Sequence, residues 1–242
     1  MYSEKFINLV NTAFSESEKL TPEEKSEGNP YYIGFGNPNA KILFIGKEKG
    51  FDIEKNLRQF EFESLLNPKE WKNYVNNSIG INTNKYYESN NYINAFYPYL
   101  GKNKSGHTWS KYEKVLKNVY PEMTTENNNF FSYAFLTEVN FKPSKYSKIK
   151  SFQNKERIAF LKEDYFKSFD VIILACGKYL TTNQIEEIFD VKIQNDNISA
   201  KHELLNIFKN KERILLNTRQ LSMAVSNEYL KNISTLIEEY LR

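Results

Sequence analysis

The chain of 242 residues is poor in the side chains that form cross-links and bind metals: it has one cysteine, Cys176, and two histidines, His107 and His202. A single cysteine excludes a disulfide framework, a zinc site made of cysteines and a four-cysteine iron–sulfur cluster. Two histidines are too few for a histidine-rich metal site. We therefore expect a protein that needs no metal, cluster or other cofactor.

Long apolar runs are also missing. No run approaches the 18 or so residues of a membrane span, and the amino terminus lacks the basic segment and apolar core of a signal peptide. We therefore expect a soluble, cytoplasmic protein without a membrane partner. The net charge of +3 and the pI of about 8.6 permit a nucleic-acid partner without requiring one, because a pI above about 9 is the stronger sign.

Short apolar runs alternate with helical patterns along the chain. Four runs have the length and composition of buried strands, at 41–45, 130–139, 171–175 and 213–216. Strands that alternate with helices favour a parallel sheet with helices on both faces. We predict the α/β class, with three α/β/α layers around a central four-stranded parallel sheet. No linker divides the chain, so we predict one domain over 1–242, with 1–28 as an N-terminal helical extension.

The same patterns predict the elements between the strands. Residues 76–97 have no clear period and are predicted to be a loop, whereas 190–198 is predicted to be a short polar strand or loop followed by a helix through Phe208. Helices are predicted at 2–20, at 67–75, at 153–168, at 179–189 and at 227–241. A further helix is predicted to follow Thr108-Trp109-Ser110 and to run through residue 119.

The stretch from Ala40 to Asp52 organises the chain. Its apolar run stops at Gly46, and a charged turn with Glu48 at its centre follows and is closed by Gly50. In an open parallel sheet, ligands bind beyond the carboxyl ends of the strands, so this turn is a candidate for chemistry. It lacks the Gly-Lys-Ser/Thr ending of a phosphate-binding Walker loop and the spacing of a dinucleotide turn, which disfavours a nucleotide hydrolase.

Gly46-Lys47-Glu48-Lys49-Gly50 after a buried strand resembles the first motif of the uracil-DNA glycosylase superfamily. Residues 217–222, which read Asn-Thr-Arg-Gln-Leu-Ser, resemble the family's His-Pro-Ser-x-Leu-Ser motif. Residues 135–143 resemble its base-reading strand, and 169–177 resemble its apolar run that ends in Leu-Gly. The resemblance covers about residues 30 to 235, and it implies an enzyme that flips a base out of DNA and hydrolyses its N-glycosidic bond, in repair or phage defence.

The resemblance also assigns roles to residues. Glu48 would stabilise an oxocarbenium-like transition state and accept a proton from water, and Asn217 would steady the leaving base. The residues implied to bind the base, sugar or phosphate are Gly46, Lys47, Gly50, Phe51, Glu138 and Asn140. The residues implied to contact DNA are Arg219, Gln220, Lys142, Lys145 and Lys148.

Several positions depart from the family motifs, including Thr218 at the proline position. Glu48 stands where the family has Asp or Asn, Asn217 stands at the histidine position, and Glu138 stands at the base-reading asparagine position. A carboxylate accepts hydrogen bonds from an exocyclic amine such as that of cytosine. The departures therefore count against uracil and make an amino-bearing or enlarged base an alternative substrate, and a single cysteine excludes the iron–sulfur branches of the family.

Plain structural interpretations stay open for each residue. Glu48 could pair with a neighbouring lysine on an exposed turn, Phe51 could be core, and Glu138 could cap a helix or pair with a lysine. Asn217 could merely end a strand, and the lysines from 142 to 150 could form a solvated loop. Two other functions also stay open: a non-catalytic protein that binds DNA or a modified base, and a hydrolase of free nucleosides. We expect DNA as the partner and a monomer.

Overall fold

The computed structural model describes residues 1–80, 107–123, 130–145, 150–194 and 204–242. A π-helical segment, Glu61–Leu65, follows the third helix, and a 3₁₀ turn, Phe130–Ser132, precedes the third strand. The helices are α1 (Glu4–Lys19), α2 (Pro22–Glu27), α3 (Leu57–Phe60), α4 (Asn67–Asn76), α5 (His107–Val119), α6 (Lys155–Leu161), α7 (Thr182–Phe189) and α8 (Asn227–Leu241). The strands are β1 (Phe35–Gly36), β2 (Ile42–Gly46), β3 (Ala134–Glu138), β4 (Val171–Ala175), β5 (Lys192–Ile193), β6 (Leu205–Lys209) and β7 (Ile214–Thr218).

The strands form one mixed sheet of seven strands in the order β1-β3-β2-β4-β7-β6-β5. Its interior strands β3, β2, β4 and β7 run parallel to one another. The flanking strands β1, β6 and β5 pair antiparallel. The α/β class is therefore confirmed. The four predicted strands form the parallel interior of the sheet, whereas the sheet as a whole is mixed and has seven strands in the described residues rather than four.

The predicted helix through Phe208 is wrong at its end, because Leu205–Lys209 is strand β6, and residues 199–203 lie outside the described residues. Strand β6 pairs antiparallel with β7, from Leu205 opposite Thr218 to Lys209 opposite Ile214. The connection is a tight turn in which the Asn210 Oδ1 accepts hydrogen bonds from two backbone N–H groups, each at 2.8 Å. Local hydrogen bonding of this kind favours a turn over a continuing helix.

Helices cover both faces of the sheet. On one face, the Phe135 ring contacts Phe6 of α1 and Trp71 of α4, with centroids 6.1 and 6.0 Å apart. On the other face, Phe44 stacks on Tyr112 of α5 at 4.3 Å. The helix α1 thus contributes to the main core. No helix in the described ranges is long and apolar enough to cross a membrane.

Several helix boundaries follow from caps. Ser3 caps α1 and Ser226 caps α8, so both predicted terminal helices are confirmed. The predicted helix at 179–189 begins later, because Thr181 and Gln184 form a capping box at the start of α7. The helix predicted at 153–168 is shorter and ends at Leu161. Most of the loop predicted at 76–97 lies outside the described residues.

Candidate active site

Glu48 lies on a turn whose backbone is fixed against the segment after β3. The N–H of Asn140 donates to the carbonyl of Lys47, and the N–H of Ser144 donates to the carbonyl of Lys49, each at 2.9 Å. Only 5% of the Glu48 side chain is exposed. The carboxylate is therefore withdrawn from solvent beyond the carboxyl end of β2, which differs from a charge on an exposed turn.

Two side chains hold the Glu48 carboxylate. The hydroxyl of Tyr179 donates a hydrogen bond to Oε2, and the Lys47 ammonium lies 3.7 Å from Oε1. Lys47 also lies over the Tyr179 ring, 4.4 Å from its centroid. The three groups contact one another, so the carboxylate is oriented by a buried hydroxyl on one oxygen and by a cation on the other.

The sequence analysis missed Tyr179. It follows β4 through a turn in which Gly177 has a φ of 65°, a conformation that favours glycine. The Gly177 N–H donates to the carbonyl of Thr218 at 3.1 Å, which fixes this turn to the end of β7. A polar aromatic residue just beyond a strand end was the available signal.

Gly46 leaves room for the carboxylate of Glu138 on the neighbouring strand. Gly46 is paired with Glu138 across the sheet, and a Cβ at position 46 would lie 2.1 Å from the Glu138 Oε2. Only a residue without a side chain therefore allows Glu138 to lie across the end of β2. Gly50 differs, because a Cβ there would meet no described atom within 4 Å. The turn therefore has room for a side chain at Gly50 but not at Gly46.

Two further ionisable groups lie at this strand end: Lys49 is buried, and Glu138 is partly buried with a buried Oε2. The Lys49 ammonium lies 3.2 Å from the centroid of the buried Tyr32 ring. Neither Lys49 Nζ nor Glu138 Oε2 has a hydrogen-bond partner among the described residues. Burial raises the pKa of Glu138; the Lys49 ammonium opposes this shift and the Glu48 carboxylate adds to it. Burial also lowers the pKa of Lys49, against the effect of the carboxylates of Glu63 and Glu138.

Those shifts have a chemical consequence. Desolvation favours the uncharged form of each group, so Glu138 tends toward a carboxylic acid and Lys49 tends toward an amine. A neutral carboxylic acid both donates and accepts hydrogen bonds, whereas a carboxylate only accepts. Glu138 can therefore present a donor as well as an acceptor at the end of β3.

Arg157, on α6, joins the strand ends and was also missed. It is fully buried, and its guanidinium donates to the carbonyls of Pro30, Tyr32 and Glu138 and to the hydroxyl of Thr137. Burial lowers the pKa of Arg157 to about 10, so the group stays cationic at neutral pH. Arg157 thus fixes the backbone that carries Glu138, and it adds a positive charge near this carboxyl group.

Asn217 reaches the same edge of the sheet on a different face. Across the sheet, Asn217 is in register with Leu174 and, through it, with Ile45 of β2. Glu138 is in register with the next residue of β2, Gly46. Successive strand residues point to opposite faces, so Asn217 and Glu138 lie on opposite faces of the sheet. Asn217 is buried, and its Oδ1 has no hydrogen-bond partner among the described residues.

Two of the predicted binding residues are buried. Phe51 is 9% exposed, in keeping with its interpretation as an interior residue. Asn140 is also buried, and its Oδ1 accepts a hydrogen bond from the Lys142 N–H at 3.0 Å, which forms a local turn. Asn140 thus has a structural contact of its own beside the strand end.

The predicted DNA-contacting residues are spread over two segments. The Lys142 ammonium pairs with Glu27 at 2.7 Å. Lys145 is exposed, and Lys148 lies outside the described residues. Arg219 and Gln220 are half-buried after β7, where the Arg219 N–H donates to the Tyr229 hydroxyl at 3.1 Å.

Within the described part of the chain, no group of three or more His, Cys, Asp or Glu side chains could hold a metal ion. Comparison with protein-family models, with curated proteins and with solved structures gives no match. The function is therefore argued from the geometry of the strand ends, where Gly46, Lys47, Glu48 and Glu138 come together with Tyr179.

Proposed function

We propose that the protein is a DNA base glycosylase of the uracil-DNA glycosylase type, acting in repair or phage defence. The observation that carries the proposal is the buried carboxylate of Glu48, held by Tyr179 and Lys47 beyond the end of a central parallel strand. Open α/β sheets bind ligands at this edge. Perturbed and desolvated charges concentrate at functional sites, and Glu138 and Lys49 lie at the same strand end.

The proposed reaction breaks the bond between C1′ of the sugar and a base nitrogen. The electron pair leaves with the base, and C1′ acquires oxocarbenium character that the Glu48 carboxylate stabilises. Water then adds its oxygen to C1′ while one of its protons passes to Glu48. The departing base takes up a proton from solvent, and Glu48 later releases its proton to solvent. Tyr179 and Lys47 contribute by fixing the carboxylate that faces the sugar, because positioning lowers the entropic part of the barrier.

Glu138 is proposed to contact the flipped base. Its raised pKa favours a carboxylic acid, which can donate to a ring nitrogen or carbonyl and accept from an amine. This pattern suits an amino-bearing base such as cytosine or a modified cytosine. Asn217 is buried on the opposite face of the sheet from Glu138, so no contact to the base is assigned to it.

The test is abasic-site formation on oligonucleotides that carry uracil, mismatched thymine or modified cytosines. Glu48→Gln should lower the excision rate by about 10²- to 10⁴-fold, the usual contribution of general acid–base catalysis. The matched control is Glu54→Gln, because Glu54 is an exposed glutamate on the same loop. The control should keep the wild-type rate.

Other outcomes distinguish the alternatives. Tight DNA binding without excision of any base would support a non-catalytic binder. Cleavage of free nucleosides, with no effect of DNA, would support a small-molecule N-glycoside hydrolase. Equal activity in wild type and Glu48→Gln would remove Glu48 from the mechanism.

A further inference from the structure

A groove runs along the seam between α5 and α8. It consists of a cleft of about 640 Å³ and an adjoining cleft of about 420 Å³, which share Asn118 and Glu238. None of the residues that surround Glu48 lines either cleft. We call this feature the α5–α8 groove, and its basic lining residues are Lys41, Lys114, Lys117, Lys231 and Arg242.

The groove carries an excess of positive charge. Its one acidic lining residue, Glu238, lies 3.7 Å from Arg242, and Lys117 pairs with Glu113 at 2.6 Å. The Lys114 ammonium donates to the neutral Asn227 amide oxygen at 3.2 Å. Among the described residues, no carboxylate oxygen lies within 4.0 Å of Lys41 or Lys231. Three ammonium groups therefore lack an acidic partner there.

The shape and lining of the groove indicate its ligand. It extends along α8 from Asn227 to Leu241, which is about 22 Å at 1.5 Å per residue. Asparagine and threonine side chains line it beside the lysines, and these groups contact phosphate oxygens in protein–nucleic acid complexes. Tyr120 is the one aromatic residue among the described residues that line it, so this described lining lacks the row of rings on which single-stranded bases stack.

The groove is connected to the catalytic edge of the sheet. The parallel strands β2 and β7 end at the same edge, and α8 begins after the segment that follows β7. The Tyr229 hydroxyl, in the first turn of α8, accepts a hydrogen bond from the Arg219 N–H. Lys41, just before β2, lines the far end. The groove thus leads from the edge that carries Glu48 to the opposite edge.

We propose that the α5–α8 groove binds the sugar-phosphate backbone of DNA in a sequence-independent way. The choice of DNA rests on the proposed glycosylase function, whereas the anionic, elongated ligand follows from the charge and length of the groove. The contact extends the protein's footprint beyond the flipped base. It raises affinity for any duplex and leaves base discrimination to the strand ends.

The test compares two double variants with equal changes in net charge. Lys114→Gln/Lys231→Gln removes two charges from the groove. Lys209→Gln/Lys211→Gln is the control, because both lysines are exposed and lie outside the groove. Binding of an unmodified duplex is measured by fluorescence anisotropy between about 50 and 200 mM salt. The slope of log affinity against log salt should fall by about 1.8 in the groove variant, since each phosphate contact contributes about 0.9.

Each result decides the proposal. An unchanged slope in the groove variant, or equal losses in both variants, overturns it, as does a wild-type protein that does not bind duplex DNA. Binding of poly-glutamate as tightly as DNA overturns the assignment to nucleic acid. Base excision with an unchanged slope leaves the glycosylase and removes the groove. A reduced slope without excision of any base supports the groove as a DNA-binding surface and overturns the glycosylase function.

Discussion

The contact between Gly46 and Glu138 gives the sharpest test of the site's architecture. In Gly46→Ala the new Cβ would lie 2.1 Å from the Glu138 Oε2, and real Cβ contacts are essentially never shorter than 3.0 Å. The Glu138 Oε2 is buried, so relieving the contact requires this side chain to shift. Overpacking of this kind costs about 1–3 kcal/mol. We therefore expect Gly46→Ala to lower the free energy of unfolding by that amount.

The cost should arise from the contact between the new Cβ and the Glu138 side chain, and a double-mutant cycle measures this contribution. In a Glu138→Ala background the clashing atom is gone, so adding Gly46→Ala should cost less than about 0.5 kcal/mol. Gly50→Ala is the control, because no described atom lies within 4 Å of its Cβ position. Urea unfolding followed by tryptophan fluorescence supplies the free energies. An equal cost of Gly46→Ala in both backgrounds would refute the proposed contact.

Three further predictions concern the groups around this contact. Tyr179→Phe removes the hydroxyl that donates to Glu48. The single-turnover excision rate should therefore fall about 10- to 100-fold, equivalent to about 1.5–3 kcal/mol, while the KM for DNA stays nearly constant. An unchanged rate would contradict the positioning role of Tyr179. Glu138 has a raised pKa in the folded protein, so the native state retains a proton that the unfolded state releases, and wild-type stability declines as pH rises above the ordinary carboxyl value of 4.5 toward the raised pKa. Glu138→Gln should therefore gain stability relative to wild type between about pH 5 and pH 8, by about 1 kcal/mol or more in urea unfolding, and a constant difference would contradict the shift. Arg157→Lys should lower the free energy of unfolding by at least about 3 kcal/mol, because each buried carbonyl that loses its hydrogen-bond donor costs about 1–3 kcal/mol. A loss below about 1 kcal/mol would argue against the role of Arg157 in fixing these carbonyls.

The interior strands could be predicted from the sequence because their apolar runs are intrinsic to them. Ile42–Gly46 and Val171–Ala175 are buried at every position, which produces a continuous apolar pattern. The edge strands have no such signal. Phe35–Gly36 and Lys192–Ile193 are two residues long, and they are strands only because they pair with β3 and β6. Pairing partners distant in the chain decide such segments.

In the candidate site, too, some residues could be predicted from the sequence and others could not. Glu48 could be proposed from the sequence because it lies two residues beyond a strand that ends in glycine. Arg157 could not, because its contacts at Pro30 and Tyr32 lie more than 120 residues away in the chain. Lys49 was also unpredictable as a buried group, because lysine is rarely buried without a partner. Its burial results from the backbone hydrogen bond between Lys49 and Ser144, which holds the turn against the neighbouring segment.

The two glutamates at the strand ends have different surroundings, and this difference supports their proposed division of roles. Glu48 has a hydroxyl donor on one oxygen and an ammonium group 3.7 Å from the other. Glu138 is enclosed, has an unpaired oxygen and has a raised pKa. A charged carboxylate is suited to stabilise a cation and accept a proton, whereas a protonated carboxyl is suited to donate to a base. A single strand-end cluster can thus supply the Glu48 carboxylate to the sugar and, because burial raises the pKa of Glu138, a hydrogen-bond donor to the leaving group.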